Sequence, residues 1–348
     1  MTPIVELRGV HREFLKDRER VPVLQDINLA IEPDEVLCLV GESGCGKTTT
    51  GKIIAGLLSP SSGEMLVDGR SLASRSGKEG KLLRRQLQIV HQDPFASLNP
   101  AHTIGDILSF PLRRHHMATG SGGLRRRIWE LLTTVDLTPP GDIVNKYPHE
   151  LSGGQRQRVS IARALTVQPR LIVADEAVSM VDVSIRISLL KMLQNLRQEL
   201  GLAIVFITHD LALAKYFAWE GRIAVMYLGR IVEIGRTPDV IGNPAHPYTR
   251  ALLAAVPEAD PELTRHKQAM RLRSDDIPKL TALPPGCAFH PRCPFYLPGM
   301  CDVEVPALTD APGFTQEVAC IPVQEGMAAE QVVEGSEELN RVPAHGMD

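Results

Sequence analysis

The sequence predicts an α/β fold organised around a parallel sheet, and three observations indicate it. Short apolar runs with the length of buried strands recur along the chain, and a polar residue follows each of them. The glycine-rich residues 41–48 lie between one such run, residues 36–40, and a helical pattern over residues 49–58. Strands that alternate with helices form parallel sheets, and these sheets bind ligands at the carboxyl ends of their strands. We therefore expect the functional site at that edge of the sheet.

Residues 41–48 fit the phosphate-binding loop pattern G-x-x-x-x-G-K-[ST] at every fixed position. The glycines let the backbone turn successive N–H groups toward an anion at a helix N-terminus. In this pattern Lys47 reaches the β- and γ-phosphates and the Thr48 hydroxyl binds Mg²⁺. The residues predicted to bind the nucleotide here are Gly41, Ser43, Gly44, Cys45, Gly46, Lys47, Thr48 and Thr49.

Three further apolar runs end in polar residues that we expect at the same edge. Gln92 follows residues 87–91, the pair Asp175-Glu176 follows residues 171–174, and His209 follows residues 203–207. Each polar residue alone has a plain interpretation as a turn or capping residue. Because the carboxyl ends of parallel strands meet, their shared position instead predicts one crevice together with the phosphate loop.

Residues 93–158 are predicted to form a helical insertion in the α/β core, beginning with the turn-rich loop 93–100. Near its end, the sequence L-S-G-G-Q at residues 151–155 opens a helix predicted to run to about Val167. Ser152 is a favourable N-cap, and the glycines leave backbone N–H groups bare. The sequence thus predicts a second phosphate-binding helix end, involving Ser152, Gly154 and Gln155.

The N-terminal residues 4–31 show the alternation of two strands, separated by the charged residues 11–20. One isolated aromatic residue, Phe14, lies in that charged segment. It is interpreted either as a ring that stacks on the nucleobase or as a half-buried strand residue, and stacking is preferred.

Composition bounds the class of protein. Apolar residues make up 43% of the 348 residues, enough for a sizeable core, and the net charge of −3 argues against nucleic acid as a partner. No apolar run approaches the ~18 residues that span a bilayer, and the N-terminus lacks the pattern of a signal segment. We therefore expect the chain to stay in the cytoplasm.

Four of the six cysteines cluster late in the chain with the spacing C-x5-C-x7-C-x18-C. Four thiolates complete either a tetrahedral Zn²⁺ site or a [4Fe–4S] cluster, and a segment of only about 35 residues needs such a staple. The lack of C-x-x-C pairs favours iron–sulfur over zinc, for which His290 is an alternative ligand. Four reduced thiols without metal remain the third interpretation. The predicted ligands are Cys287, Cys293, Cys301 and Cys320.

These motifs together resemble those of an ATP-binding-cassette (ABC) ATPase over roughly residues 4–240. The resemblance implies a P-loop NTPase (RecA-like) core with an antiparallel β subdomain and a helical signature subdomain. It also implies a head-to-tail dimer, in which Ser152 and Gly154 of one chain face the γ-phosphate held by the other. Residues 179–182 match the loop that crosses to the partner subunit.

The resemblance implies a role for each residue of the crevice. Mg²⁺ is bound by Thr48, Gln92 and Asp175, the last through water. Glu176 orients and deprotonates the attacking water, and His209 contacts the γ-phosphate. Lys47 neutralises developing charge, and Gln92 senses the metal and the water. The loop that follows Gln92 is implied to contact a membrane permease.

A narrower resemblance links four segments to the dipeptide/oligopeptide transporter ATPase family: residues 41–47, 92–100, 243–249 and 286–294. It implies an ATP-hydrolysing subunit that energises import of peptides or a similar small solute at the cytoplasmic face of the membrane. The implied partners are a second ATPase subunit, identical or paralogous, two permease subunits, and indirectly a periplasmic or extracellular solute-binding protein. The family's cluster in the late segment also favours iron–sulfur.

The chain departs from the family pattern at three positions. Ala177 replaces the proline that usually follows the catalytic glutamate, and Met180 and Val181 replace the usual Ala-Leu. These changes preserve the chemical groups but are expected to loosen the loop, so they affect the turnover rate more than the reaction itself.

The predicted domain order is an ABC ATPase domain at 1–240 with its helical subdomain at about 93–158, an extension with the four cysteines at 241–325, and a flexible tail at 326–348. Residues 257–285 are expected to be extended. No internal repeat is visible, so a second nucleotide-binding domain must come from a partner. The alternative function is an ABC ATPase without a permease, but neither the long coiled-coil insertion nor the second cassette typical of that class is present; a P-loop kinase would lack the 151–155 signature.

Overall fold

The computed structural model describes residues 2–72, 77–256 and 270–327 and divides the chain into two compact units. The first unit comprises Met1–Val10, Asn28–Leu37 and Thr48–Thr208, and the second comprises His11–Ile27, Cys38–Lys47 and His209–Asp348. Residues 257–269 of the segment predicted to be extended, and residues 328–348 of the predicted tail, lie outside the described residues.

The described part of the chain forms strands and helices in the α/β order that the sequence predicts. The strands are β1 (Val5–Lys16), β2 (Glu19–Ile31), β3 (Val36–Val40), β4 (Ser62–Val67), β5 (Arg70–Ser71), β6 (Leu87–Val90), β7 (Leu171–Asp175), β8 (Ala203–Ile207), β9 (Arg222–Tyr227), β10 (Arg230–Arg236), β11 (Thr309–Asp310) and β12 (Glu317–Val318). The α-helices are α1 (Lys47–Ile54), α2 (Gly77–Arg85), α3 (Pro94–Ser97), α4 (Ile104–Arg114), α5 (Gly120–Thr134), α6 (Gly141–Val144), α7 (Gly153–Leu165), α8 (Val183–Leu200), α9 (Leu211–Phe217), α10 (Thr237–Gly242), α11 (Pro247–Ala254) and α12 (Ile321–Gln324).

In the first unit, β6, β7 and β8 form a parallel sheet in the order in which they occur. The last residues of the strands are in register, with Val90 opposite Ala174 and Asp175 opposite Ile207. Every residue of β7 and β8 is buried, which is the pattern of parallel strands covered on both faces. The predicted parallel α/β sheet is therefore confirmed, and the three strands end at one edge.

The predicted insertion in the first unit is helical, as α3 to α6 and the start of α7 occupy residues 93–158. The buried faces of α4, α5 and α7 pack on one another. The helix predicted to run to about Val167 ends at Leu165. None of the helices in the described ranges has the length and apolar character needed to span a bilayer.

The second unit contains a pairing that the sequence did not predict. The hairpin of β9 and β10 is extended by β12, which pairs antiparallel with β10, and then by β11. Val318 of β12 is fully buried in a small core with Ala245, Ala311 and Cys320. Residues 309–320, which end at Cys320, are thus joined to the rest of the second unit through backbone hydrogen bonds and this small core.

Beside this pairing, His246 caps helix α11 in the second unit and provides a test of stability against pH. Its Nδ1 accepts a hydrogen bond of 3.0 Å from the Tyr248 N–H. Burial lowers the pKa of His246 to about 3, against 6.5 for an exposed histidine. A histidine of this kind contributes full stability above the unfolded pKa, and that stability is lost as the pH falls from about 6.5 toward 3.

Lowering the pH from about 7.5 to about 5.5 should therefore cost the wild type about 1.4 kcal/mol more free energy of unfolding than it costs the His246→Asn variant. Asparagine keeps a side-chain acceptor at the N-cap but does not titrate in this range. Urea titrations in reducing buffer at both pH values measure the difference. Equal losses in the two proteins would contradict the buried neutral histidine.

Candidate functional site

The predicted nucleotide-binding residues form the turn that leads into α1 and the first turn of that helix. Gly41, Ser43, Gly44, Cys45 and Gly46 lie in the turn, and Lys47, Thr48 and Thr49 begin α1. Gly41 has φ +147°, and a Cβ atom there would lie 2.2 Å from the backbone oxygen of Met226. Only glycine fits at this position, since no backbone oxygen can yield to such a contact.

Lys47 is buried at the end of this loop and is bonded to the loop itself. Its Nζ donates to the carbonyl oxygens of Gly41 at 2.7 Å and Glu42 at 2.9 Å, and lies 3.7 Å from the Cys45 sulfur. Only 5% of the Lys47 surface is exposed. The two carbonyls hold the ammonium in place, and a phosphate oxygen can replace them as its partner.

In the first unit, Thr48 and Asp175 make the contact expected of residues that share a Mg²⁺ ion. The Thr48 hydroxyl donates a hydrogen bond of 3.0 Å to the Asp175 carboxylate. Burial raises the pKa of Asp175, as does the nearby charge of Glu176, while the bond from Thr48 opposes the shift. A buried carboxylate that is costly to ionise, next to a hydroxyl, is an oxygen set that fits a hard divalent cation.

Glu176 follows β7 in an unusual backbone conformation. Its φ is +47°, which is uncommon for a residue other than glycine, and such conformations cost of order 1 kcal/mol. The Glu176 N–H donates to the carbonyl of Ile207 at 3.0 Å, and its own carbonyl accepts from the Ser179 N–H at 3.0 Å and hydroxyl at 2.8 Å. The backbone of Glu176 is thus fixed from both sides. Sequence analysis did not identify Ser179 as a residue that fixes this backbone, because the contact depends on the local turn.

Ser152 is the N-cap of α7, as predicted. Its hydroxyl accepts a bond of 3.3 Å from the Gln155 N–H, and the Gln155 side chain accepts one of 3.0 Å from the Ser152 N–H. These two bonds form a capping box. A Cβ atom at Gly154 would lie 2.6 Å from a methyl group of Ile185, so the close packing of α7 against α8 requires glycine there. The side chain of Ser152 remains exposed to solvent.

The remaining predicted residues lie at strand ends or on a strand. Gln92 is exposed in the bend between β6 and α3. It therefore follows the end of β6, which pairs with the strand β7 that carries Asp175. His209 is exposed in the second unit. Phe14 lies on β1 with 39% of its surface exposed, and the Arg12 guanidinium lies 4.6 Å from the centre of its ring.

The structure therefore brings together part of the predicted site within each unit. In the first unit Thr48 contacts Asp175, and Gln92 and Glu176 follow the ends of adjacent strands. Lys47, His209 and Phe14 belong to the second unit. The single crevice and the base-stacking role of Phe14 stay predictions.

The four late cysteines are free thiols that line one cavity of about 30 Å³ in the second unit. Burial raises the pKa of Cys287 to about 11 and that of Cys320 to about 12. Such a cavity has room for only a water molecule or two. Across residues 2–72, 77–256 and 270–327, no group of three or more His, Cys, Asp or Glu side chains could hold a metal ion.

The predicted iron–sulfur or zinc site is accordingly not supported by this arrangement. The physical reason is that these thiols, three of them buried and that of Cys287 half-buried, are held as neutral groups around a small cavity that apolar side chains also line. A metal ion needs thiolates at ligand distance, and a cluster needs far more room.

Comparison with known proteins places the chain in a family. The ABC transporter family profile matches residues 24–179, and the profile of the oligopeptide/dipeptide transporter C-terminal region matches residues 232–301. A peptide import ATP-binding protein of Brucella ovis is 43% identical over 92% of this chain and 98% of its own length. The oligopeptide transport ATP-binding protein OppF of Escherichia coli is 40% identical over 91% of this chain and 93% of its own length.

Solved structures agree with this placement. The dimeric ATP-binding cassette MJ0796, solved in a post-hydrolysis state with ADP and phosphate, matches with a TM-score of 0.60 and 30% identity over 67% of this chain and 98% of its own. CbiO1 of Clostridium perfringens, part of an ABC transporter complex, matches with a TM-score of 0.61 and 27% identity over 70% of this chain and 92% of its own.

The fold and the site define an ATP-binding cassette with a P-loop NTPase core, which confirms the predicted fold class. The chain belongs to the ABC transporter family, on the branch marked by the oligopeptide/dipeptide transporter C-terminal region, and it is an ATP-hydrolysing subunit of that family. ATP and Mg²⁺ are the cofactors of this class.

Proposed function

We propose that this chain hydrolyses ATP to energise the import of peptides or a similar small solute, as a peripheral subunit at the cytoplasmic face of the membrane. The observation that carries the proposal is the Thr48–Asp175 contact beside the conformationally fixed Glu176, in a chain that also carries the peptide-transporter C-terminal profile. The first part supplies ATP chemistry and the second indicates the kind of transporter.

The chemistry follows from what each residue offers. ATP hydrolysis depends mainly on positioning and charge stabilisation, and bound Mg²⁺ neutralises charge on the transferred phosphoryl group. Thr48 and Asp175 would hold the ion, and Glu176 would orient and deprotonate the attacking water. Lys47 would exchange its two carbonyl partners for phosphate oxygens. Gln92 and His209 are proposed to contact the water and the γ-phosphate, respectively.

We further propose that the working unit is a dimer of cassettes bound to two permease subunits. Ser152 and Gly154 at the start of α7 would face a nucleotide held by the partner cassette, and residues 93–104 would contact the permease. The exposure of the Ser152 side chain supports the first contact. The partner cassette is an identical or a paralogous chain, and a solute-binding protein would deliver the solute to the permease.

The experiment that tests this function is reconstitution of the chain in vesicles, together with the permease and the binding protein that are encoded by genes neighbouring its own. We expect uptake of a labelled peptide that requires ATP and the chain. ATP hydrolysis that is indifferent to permease and peptide would favour the alternative, an ABC ATPase without a permease. Uptake of another solute at the same ATP cost would correct the substrate alone.

We retain as proposals the domain boundaries at 240 and 325 and the metal at the four cysteines. The two family profiles, at 24–179 and 232–301, support a boundary near residue 240. The convergence of four thiols on one cavity supports this proposal, and metal binding would require the thiols to lose protons and the cavity to change its shape.

Metal content of protein purified without oxygen is the direct test of the cysteine site. A [4Fe–4S] cluster would give brown protein with about four iron and four sulfide per chain, and Cys293→Ser should lose them. The Cys38→Ala variant, altered at a buried cysteine outside the cavity lining, should retain the wild-type content. Colourless protein with one zinc per chain would support the zinc alternative, and protein with neither metal would remove the site.

A further inference from the structure

The second residue of the phosphate loop, Glu42, is held at three points within the second unit. Its N–H donates a bond of 2.9 Å to the hydroxyl of Tyr248, and its carbonyl accepts the 2.9 Å bond from Lys47. Its carboxylate accepts two bonds from Arg292, at 2.9 and 3.0 Å. The backbone amide, the carbonyl and the side chain of this one loop residue are therefore all engaged.

Arg292 comes from the cysteine-bearing segment, directly before Cys293. The Arg292 side chain is 7% exposed and that of Glu42 is 24% exposed. A planar guanidinium that meets a carboxylate with two parallel bonds is the strongest kind of ion pair, and it fixes orientation as well as distance. Loss of either partner from a buried pair leaves an uncompensated charge.

An aromatic cluster supports the pair from behind. The rings of Tyr227, Tyr248 and Phe289 lie with centroids 4.6 to 5.4 Å apart. Arg292 also donates a bond of 3.3 Å to the Tyr227 hydroxyl. Tyr227, Tyr248 and Phe289 are each at most 1% exposed. Arg292 therefore reaches the loop from a tightly packed support.

We propose that Arg292 is a positioning residue for ATP binding, acting on the phosphate loop through Glu42. When Lys47 leaves the Glu42 carbonyl for a phosphate, that carbonyl keeps only the 3.3 Å bond that it accepts from the Cys45 N–H. The bonds from Arg292 and Tyr248 then keep the loop in the shape that presents its amides to the phosphates. A loop held in its binding conformation binds more tightly, since less ordering remains to be done. This inference rests on the proposed ATPase function and connects the cysteine segment to nucleotide affinity.

The test compares full-length Arg292→Gln, Arg292→Lys and Glu42→Gln with the wild type. We expect Arg292→Gln and Glu42→Gln each to raise the KM and the Kd for Mg–ATP by about tenfold, with kcat within about twofold. The reason is that the loop contacts bound ATP and the transition state equally, so that the barrier between the two does not change. Arg292→Lys keeps the charge and should recover part of the affinity. The double variant should be no weaker than the worse single one, as for two residues that act as one pair.

Arg273→Gln is the matched control, because Arg273 is an exposed cation on the same segment whose guanidinium lies over Tyr296, and its contact with Arg292 is made by the backbone N–H, which the variant keeps. It should leave KM unchanged.

Melting temperatures separate a folding defect from a binding defect. If Arg292→Gln does not fold, Glu42→Gln, on the more exposed side of the pair, tests the inference in its place. A fall in kcat at unchanged KM, or additive losses in the double variant, would overturn the inference. A wild type that does not hydrolyse ATP even with a partner cassette added would instead refute the proposed function.

Discussion

Replacing Glu176 with glutamine is expected to slow ATP hydrolysis by about 10²-fold or more while ATP affinity stays close to that of the wild type. Glutamine keeps the size of the side chain but removes the basic carboxylate that would take a proton from water. The oxygens of Thr48 and Asp175 that would bind Mg²⁺ are unchanged, so we expect ground-state binding to be preserved. Phosphate release and a titration with a fluorescent ATP analogue measure the two quantities separately.

The same variant should accumulate as an ATP-bound dimer, because the step that reopens the dimer is blocked. Size-exclusion chromatography with and without Mg–ATP detects it. Glu199→Gln, which removes a carboxylate from an exposed position in α8, is the matched control and should hydrolyse ATP normally. Turnover of Glu176→Gln near the wild-type rate would show that another group activates the water.

Mixing Lys47→Ala chains with Ser152→Arg chains should restore hydrolysis that neither variant has alone, if the partner cassette is identical. In a head-to-tail dimer, one mixed pair has one site with both defects and one site with none. Random pairing at equal amounts would therefore return roughly a quarter of the wild-type rate, because half of the dimers carry one intact site. Lys47 is buried and would supply its charge to the phosphates, and Ser152 is exposed at the start of α7 where it would face the partner's nucleotide, so each single defect should be severe.

The outcome of mixing distinguishes two other arrangements. A mixture that stays inactive at every ratio, from chains whose wild type is active alone, would indicate sites built within one chain. If the wild-type chain alone is also inactive, a paralogous partner is required, and adding that partner should restore activity.

Much of the fold and of the candidate site could be predicted, because the signals are local. The apolar runs of β7 and β8 predict that these strands are buried. The polar residues after them lie at the edge where the strands of a parallel sheet end. The capping box of Ser152 and Gln155 spans four consecutive residues at the start of one helix. The glycine that is required at position 41 belongs to a pattern with fixed spacing.

The features that could not be predicted depend on contacts between distant parts of the chain. The left-handed conformation of Glu176 is held by the carbonyl of Ile207 on the neighbouring strand, which no propensity encodes. The pairing of β12 with β10 joins strands of which the first is two residues long, too short for any periodicity to be seen.

The sequence by itself determined the class of chemistry, because the phosphate loop, the paired carboxyl residues and the capped α7 each need only neighbouring residues to be recognised. Only the tertiary structure decided how the cysteine segment is used. It places the four thiols around one small cavity and pairs Arg292 with Glu42, 250 residues earlier in the chain. A single arginine in a proline-rich segment belongs to no periodic pattern, so the sequence does not predict which residue it pairs with. The pairing follows from the packing of Tyr227, Tyr248 and Phe289, whose rings come from three separate stretches of the chain.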